Sequence, residues 1–145
     1  WFYLTDSGAG ALYRYPFTPS SAAYSEKDRL PEVEPFIDTS REEGVPDGLT
    51  VSRAGAIFSA RWGGSRVVEY DAMGRKVGEL AMPVKQPSSC TFGGEELGTL
   101  YVSSARRGLG EVSPESSEGN LLMVAGLAVG REEYVLSEAF LQLLS

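Results

Sequence analysis

This sequence predicts an all-β fold assembled from propeller-type blades, and three observations carry the prediction. Turn formers are dense, with 17 Gly and 8 Pro in 145 residues dividing the chain into short apolar runs. Several of those runs alternate with a period of two, so that one face is apolar. The chain also resembles itself: residues 2–15 and 57–70 each read as an aromatic strand, a small-residue turn and a second strand ending in Tyr. A third copy starts at Thr99-Leu100-Tyr101-Val102-Ser103 and resumes at Gly119-Asn120-Leu121-Leu122. Spacings of about 45–55 residues match four-stranded blades. A sandwich with glycine turns is the other architecture that this pattern allows.

The strands expected in chain order begin with Trp1 to Thr5, closed by the turn Asp6-Ser7-Gly8-Ala9-Gly10. Ala11 to Phe17 follows, with Leu12 and Arg14 on one face and Tyr13, Tyr15 and Phe17 on the other. Leu49 to Ser52, Ala56 to Ala60 and Arg66 to Tyr70 are next, the last two joined through Trp62-Gly63-Gly64-Ser65. Beyond the turn Asp71-Ala72-Met73-Gly74 come Lys76 to Met82, Ser88 to Phe92, Thr99 to Ser103 and Asn120 to Ala125. Residues 1–130 are expected to form the propeller region. Residues 131–145 form a tail that reads as helical, with Tyr134, Leu136, Phe140, Leu141 and Leu144 roughly on one face.

Composition excludes several functions. Thirteen Lys+Arg against twenty Asp+Glu leave a net charge of −7 without a basic stripe, so a nucleic-acid partner is not expected. No apolar run approaches the roughly 20 residues of a spanning helix, so no membrane partner is expected. Without a visible signal peptide, the expected location is cytoplasmic. The single cysteine, Cys90, cannot form an internal disulfide. There is no histidine, which excludes Ser-His-Asp and Cys-His arrangements and His-ligated zinc within this chain. Carboxylates, an oxygen-bound metal, Lys or Tyr must carry any chemistry.

Three stretches narrow the reading further. They are Gly44-Val45-Pro46-Asp47-Gly48-Leu49-Thr50-Val51, Trp62-Gly63-Gly64-Ser65-Arg66-Val67-Val68-Glu69-Tyr70-Asp71, and Pro83 to Gly94 continuing into Thr99 to Arg106. Their order and spacing resemble the C-terminal half of the SMP-30/gluconolactonase/LRE-like (regucalcin-like) family, over Trp1 to about Ala128. The resemblance implies part of a six-bladed β-propeller, about three blades of it. It also implies a divalent cation (Ca2+, Zn2+, Mg2+ or Mn2+) and hydrolysis of small sugar lactones. The Pro-Asp-Gly of the family matches Pro46-Asp47-Gly48, so Asp47 is the expected metal ligand and the expected catalytic acid/base. A carboxylate oxygen suits such a cation and can take a proton from water. A plain surface turn is the other reading of Pro-Asp-Gly. The family's remaining ligands, an early glutamate and a Pro-Asn-Gly asparagine, have no counterpart here. Asn120 lies far downstream beside Gly119 and reads as a turn residue.

Other candidates read as structural. The loop Asp6–Gly10 lacks the Lys and following helix of a phosphate cradle. Glu42-Glu43 and Glu95-Glu96 read as solvated loops, because adjacent carboxylates diverge on a strand. Cys90 reads as a buried thiol on an inner strand, without a His to activate it. Trp62 reads equally as a channel-mouth residue or as packing, and Arg106-Arg107 with the acidic loop 111–118 as a solvated insertion. Two functional readings follow: a metal-dependent lactonase acting through Asp47, and a non-catalytic propeller fragment or half-propeller that pairs with another chain. A related esterase or phosphotriesterase on the same scaffold would need the same absent ligands. Three blades fall short of the 4–8 of closed propellers, so open edges and self-association are expected.

Overall fold

The computed structural model describes residues 1–16 and 32–133. Ten strands lie among them: β1 (Phe2–Asp6), β2 (Ala11–Tyr15), β3 (Ile37–Asp38), β4 (Val45–Val51), β5 (Ile57–Trp62), β6 (Arg66–Tyr70), β7 (Lys76–Ala81), β8 (Pro87–Gly93), β9 (Thr99–Ser104) and β10 (Leu121–Ala125). They form three antiparallel sheets in the orders β1-β2-β3, β4-β5-β6-β7 and β10-β9-β8. The fold is all-β, part of a propeller. The expected helical tail falls, from residue 134 on, outside the described residues.

The internal repeat is a repeat of hairpins with one register. Phe2 faces Tyr15 and Asp6 faces Ala11 in the first copy; Ile57 faces Tyr70 and Arg61 faces Arg66 in the second. The third copy pairs Thr99 with Ala125 and Ser103 with Leu121 across a much longer connection. Matched this way, β1 corresponds to β5, the second strand of the complete middle sheet. The first sheet therefore displays the second to fourth strands of a blade, and the third sheet the first to third.

Packing between sheets follows from the period of two along β5, where Ile57 to Arg61 are all buried. Ile57 joins Leu12, Ile37, Val68 and Tyr70 in a cluster between the first and middle sheets. Phe58 joins Val67, Met82, Val84, Cys90, Leu100 and Val102 in a second cluster between the middle and third sheets. Phe58 meets Phe92 edge-on, with ring centroids 5.3 Å apart. Each such buried side chain contributes about 1.5–3 kcal/mol, which makes the middle sheet the anchor of the stack.

The two outer faces are less covered. Phe2 and Leu4 are exposed on β1, and Leu121 and Met123 on β10. β4 and β8, each the first strand of its sheet, lie against one another, and β4 also touches β1. β4 thus occupies the line on which the three sheets converge.

Two local expectations are corrected. Strand β4 begins at Val45, so Pro46-Asp47-Gly48 belongs to a strand and is not a surface turn. Its neighbour β5 pairs Pro46 with Arg61 and Leu49 with Ser59, which sets Asp47 and Gly48 against Ala60 alone. That two-against-one count is a β-bulge, and an edge strand tolerates Pro46 because its missing donor is not needed there. The two-residue strand β3 also escaped the sequence pattern.

Candidate functional site

Asp47 sits in the bulge of β4, partly buried. A bulge re-aims one side chain out of the regular alternation, and here that side chain is the carboxylate. Burial pushes its pKa above the ordinary carboxylate value by stripping water from the ionised form, while a hydrogen bond from the Gly48 N–H works in the opposite direction. A carboxylate with raised proton affinity is a better acceptor of a proton from water.

The neighbours of Asp47 are fixed on both sides. A Cβ on Gly48 would lie 2.7 Å from the Ser89 Cα on β8, so only glycine lets the two first strands approach this closely. On the other flank the Ser7 hydroxyl donates to the Pro46 carbonyl at 2.7 Å, tying the β1–β2 turn to the start of the bulge.

Just upstream, a buried polar group holds the segment that enters β4. Arg61, directly across from Pro46, is fully buried and donates through Nη2 to Glu42 Oε2 at 3.1 Å. The same Nη2 donates to the Tyr70 hydroxyl, which in turn donates to Glu42 Oε1 at 3.0 Å. Burial raises the Tyr70 pKa far beyond its ordinary value, so this phenol stays protonated and acts as a donor. Gly44, at φ 76°, completes the turn; a Cβ there would meet the Gly64 Cα at 2.7 Å. The reading of Glu42-Glu43 as a solvated loop is therefore corrected for Glu42, while Glu43 is exposed. The available hint was a lone Arg at an inward position of a buried strand, which demands a partner.

As a cation site the arrangement is incomplete. Calcium takes 6–8 oxygens, yet among the described residues no group of three or more His, Cys, Asp or Glu side chains comes together to hold a metal ion. Asp47 is a single hard donor, and the residues described here do not by themselves fit the implied cation.

The remaining candidates fall elsewhere. Cys90 lies on β8, buried, its thiol 3.3 Å from the Phe58 carbonyl, and burial pushes its pKa up to about 12. Trp62 is half-buried at the end of β5, opposite Val45. Glu95 and Glu96 occupy the exposed turn between β8 and β9. In the long β9–β10 connection, Arg106 Nε donates to the Glu118 carbonyl at 2.6 Å, and Glu118 Oε1 accepts from the Lys85 N–H at 2.6 Å. Neither contact reaches the Asp47 bulge.

Comparison with known proteins bears on the family and the fold. The SMP-30/Gluconolactonase/LRE-like region model matches residues 1–106. Pentonolactonase XacC of Haloferax volcanii is 37% identical over 139 residues, covering 92% of this chain and 46% of that protein. L-arabinolactonase of Azospirillum brasilense is 36% identical over 114 residues, covering 74% of this chain and 37% of that protein. The crystal structure of the calcium-binding protein regucalcin from Agrobacterium tumefaciens superposes with a TM-score of 0.77 at 28% identity, over 90% of this chain and 43% of that one. This chain thus spans about half the length of the curated relatives it matches, or less. A family match over most of its length, on a propeller scaffold whose inner strand carries the Pro46-Asp47-Gly48 bulge, settles its kinship: the chain belongs to the SMP-30/gluconolactonase/LRE-like family.

Proposed function

We propose that this chain supplies the Asp47 part of a site that hydrolyses small sugar lactones. The observation that supports the reading best is a partly buried carboxylate of raised pKa, set in a strand bulge where the sheets converge. Relatives named as pentonolactonase and L-arabinolactonase supply the substrate class. In the first step Asp47 takes a proton from water while the water oxygen bonds to the lactone carbonyl carbon. In the second the ring C–O bond breaks and the departing ring oxygen receives that proton, giving the open hydroxy acid. A divalent cation (Ca2+, Zn2+, Mg2+ or Mn2+) would take Asp47 as one oxygen donor among several, the others coming from outside the residues described here.

The test is lactone hydrolysis followed by acid release, with and without chelator, for the wild-type protein and Asp47→Asn. Loss of a positioned general base costs about 10²–10⁴-fold, so the variant should fall by at least that lower figure. Undiminished turnover in Asp47→Asn would remove the proposal.

One observation favours a second reading, a non-catalytic half-propeller that associates with another chain. Leu121 and Met123 on β10 are 63% and 68% exposed, and Phe2 on β1 is 45% exposed, large apolar side chains left uncovered on the two outer sheets. A solution mass equal to one chain, independent of concentration, would count against it.

A further inference from the structure

The bulge that carries Asp47 occurs a second time. In β4, Pro46 faces Arg61 and Leu49 faces Ser59, so Asp47 and Gly48 share Ala60. In β8, Pro87 faces Ser104 and Cys90 faces Val102, so Ser88 and Ser89 share Ser103. Each strand enters its bulge from a proline, and the residue after that proline is drawn out of the regular alternation. Ser88 is the counterpart of Asp47 on the neighbouring sheet, and it is half-buried as Asp47 is.

The two bulges also meet. Gly48 lies against Ser89, and further along the same strands the Thr50 main chain reaches the Cys90 thiol. These contacts advance in step, so β4 and β8 run side by side in one direction. One residue before the Gly48–Ser89 contact, that register sets Asp47 beside Ser88. The hydroxyl of Ser88 is itself directed. Ser103 Oγ donates to the Ser89 carbonyl at 3.5 Å and lies 2.9 Å from Ser88 Oγ. With the Ser103 proton used there, Ser88 donates to Ser103 and keeps its own lone pairs for a donor at the strand mouth.

We propose that Ser88 acts with Asp47 as a second catalytic residue, its Oγ accepting one O–H of the water whose other O–H is directed at Asp47. Two acceptors on adjacent strands fix the orientation of that water, which turns an oxygen lone pair toward the lactone carbonyl carbon. Asp47 takes one proton. The hydrogen held by Ser88 stays on the oxygen that enters the new carboxyl group, and Ser88 keeps its own proton throughout. This role rests on the lactonase reading above; the pairing of the two side chains does not.

The experiment has a geometric arm and a kinetic arm. Asp47→Cys combined with Ser88→Cys, oxidised and mapped by peptide mass spectrometry, should link positions 47 and 88, since a disulfide spans Cα separations of about 4.4–6.8 Å. Asp47→Cys combined with Thr91→Cys, further along β8, should stay unlinked. In lactone hydrolysis Ser88→Ala should lower kcat about fivefold, the worth of one neutral hydrogen bond, with KM unchanged, and Ser88→Thr should restore the rate. A folded double variant that does not link 47 to 88 would overturn the pairing. Wild-type kcat in Ser88→Ala, or a loss confined to KM, would overturn the catalytic role. The kinetics decide if the double variant fails to fold. A wild-type chain without turnover removes the lactonase reading and this role with it, while the crosslink still decides the pairing.

Discussion

Replacing Gly48 by alanine tests the packing that holds the Asp47 bulge. The added Cβ would lie 2.7 Å from the Ser89 Cα and closer still to the Ser89 side chain. Overpacking of this kind costs about 1–3 kcal/mol. Gly48 is not among the residues with positive φ, so alanine adds no backbone strain and recovers about 0.4–1 kcal/mol through the unfolded chain. Because the added Cβ meets backbone as well as side chain, the upper end of that cost applies, and the net expectation is a loss of about 2 kcal/mol. At this chain length that lowers Tm by roughly 4–8 °C.

Ser89→Gly removes the side-chain part of the clash but leaves the Cα in place, so the double variant should recover only part of the loss. A coupling of about 1 kcal/mol between the two sites is expected. Urea unfolding of the wild type, both single variants and the double variant measures it directly. Wild-type stability in Gly48→Ala, or full rescue by Ser89→Gly, would refute the close approach of β4 and β8.

Three further outcomes are expected. Because burial raises the Asp47 pKa, the folded chain holds that proton more tightly than the unfolded chain, so the stabilisation it brings is lost as pH rises through the raised value. Asp47→Asn should therefore gain stability relative to wild type between about pH 3 and pH 7, and a variant relatively weaker at neutral pH in urea titrations would contradict this. Glu42→Ala strands the buried Arg61 charge and should cost about 3 kcal/mol, the low end for a broken buried pair because Glu42 is partly exposed; Arg61→Met with Glu42→Gln should cost less in the same assay. Phe58→Ala empties the contact with Phe92 and should cost about 3–5 kcal/mol in urea unfolding, with a loss below 1 kcal/mol counting against the cluster between the middle and third sheets.

The hairpins were legible because their alternation and glycine turns are local signals, and the repeat of residues 2–15 at 57–70 even matched in register. The start of β4 was not, because Pro46, Asp47 and Gly48 are all poor strand formers; only pairing with β5 and the approach of β8 keep them extended. β3 is two residues long and leaves no periodicity to detect. Asp47 was found through the resemblance of its flanking motifs, since Pro-Asp-Gly alone reads as a turn. Glu42 was missed because its partners lie 19 and 28 residues away, on two other strands, and nothing in its own neighbourhood distinguishes it from Glu43.

Cys90 is the sole sulfhydryl of this sequence and is enclosed by the cluster between the middle and third sheets. An alkylating reagent can reach it only when those two sheets part, so its labelling rate counts separations of one blade from the next. Intermolecular crosslinks through sulfur would then mark molecules that had already opened, and a gel without reductant would serve as a census of them.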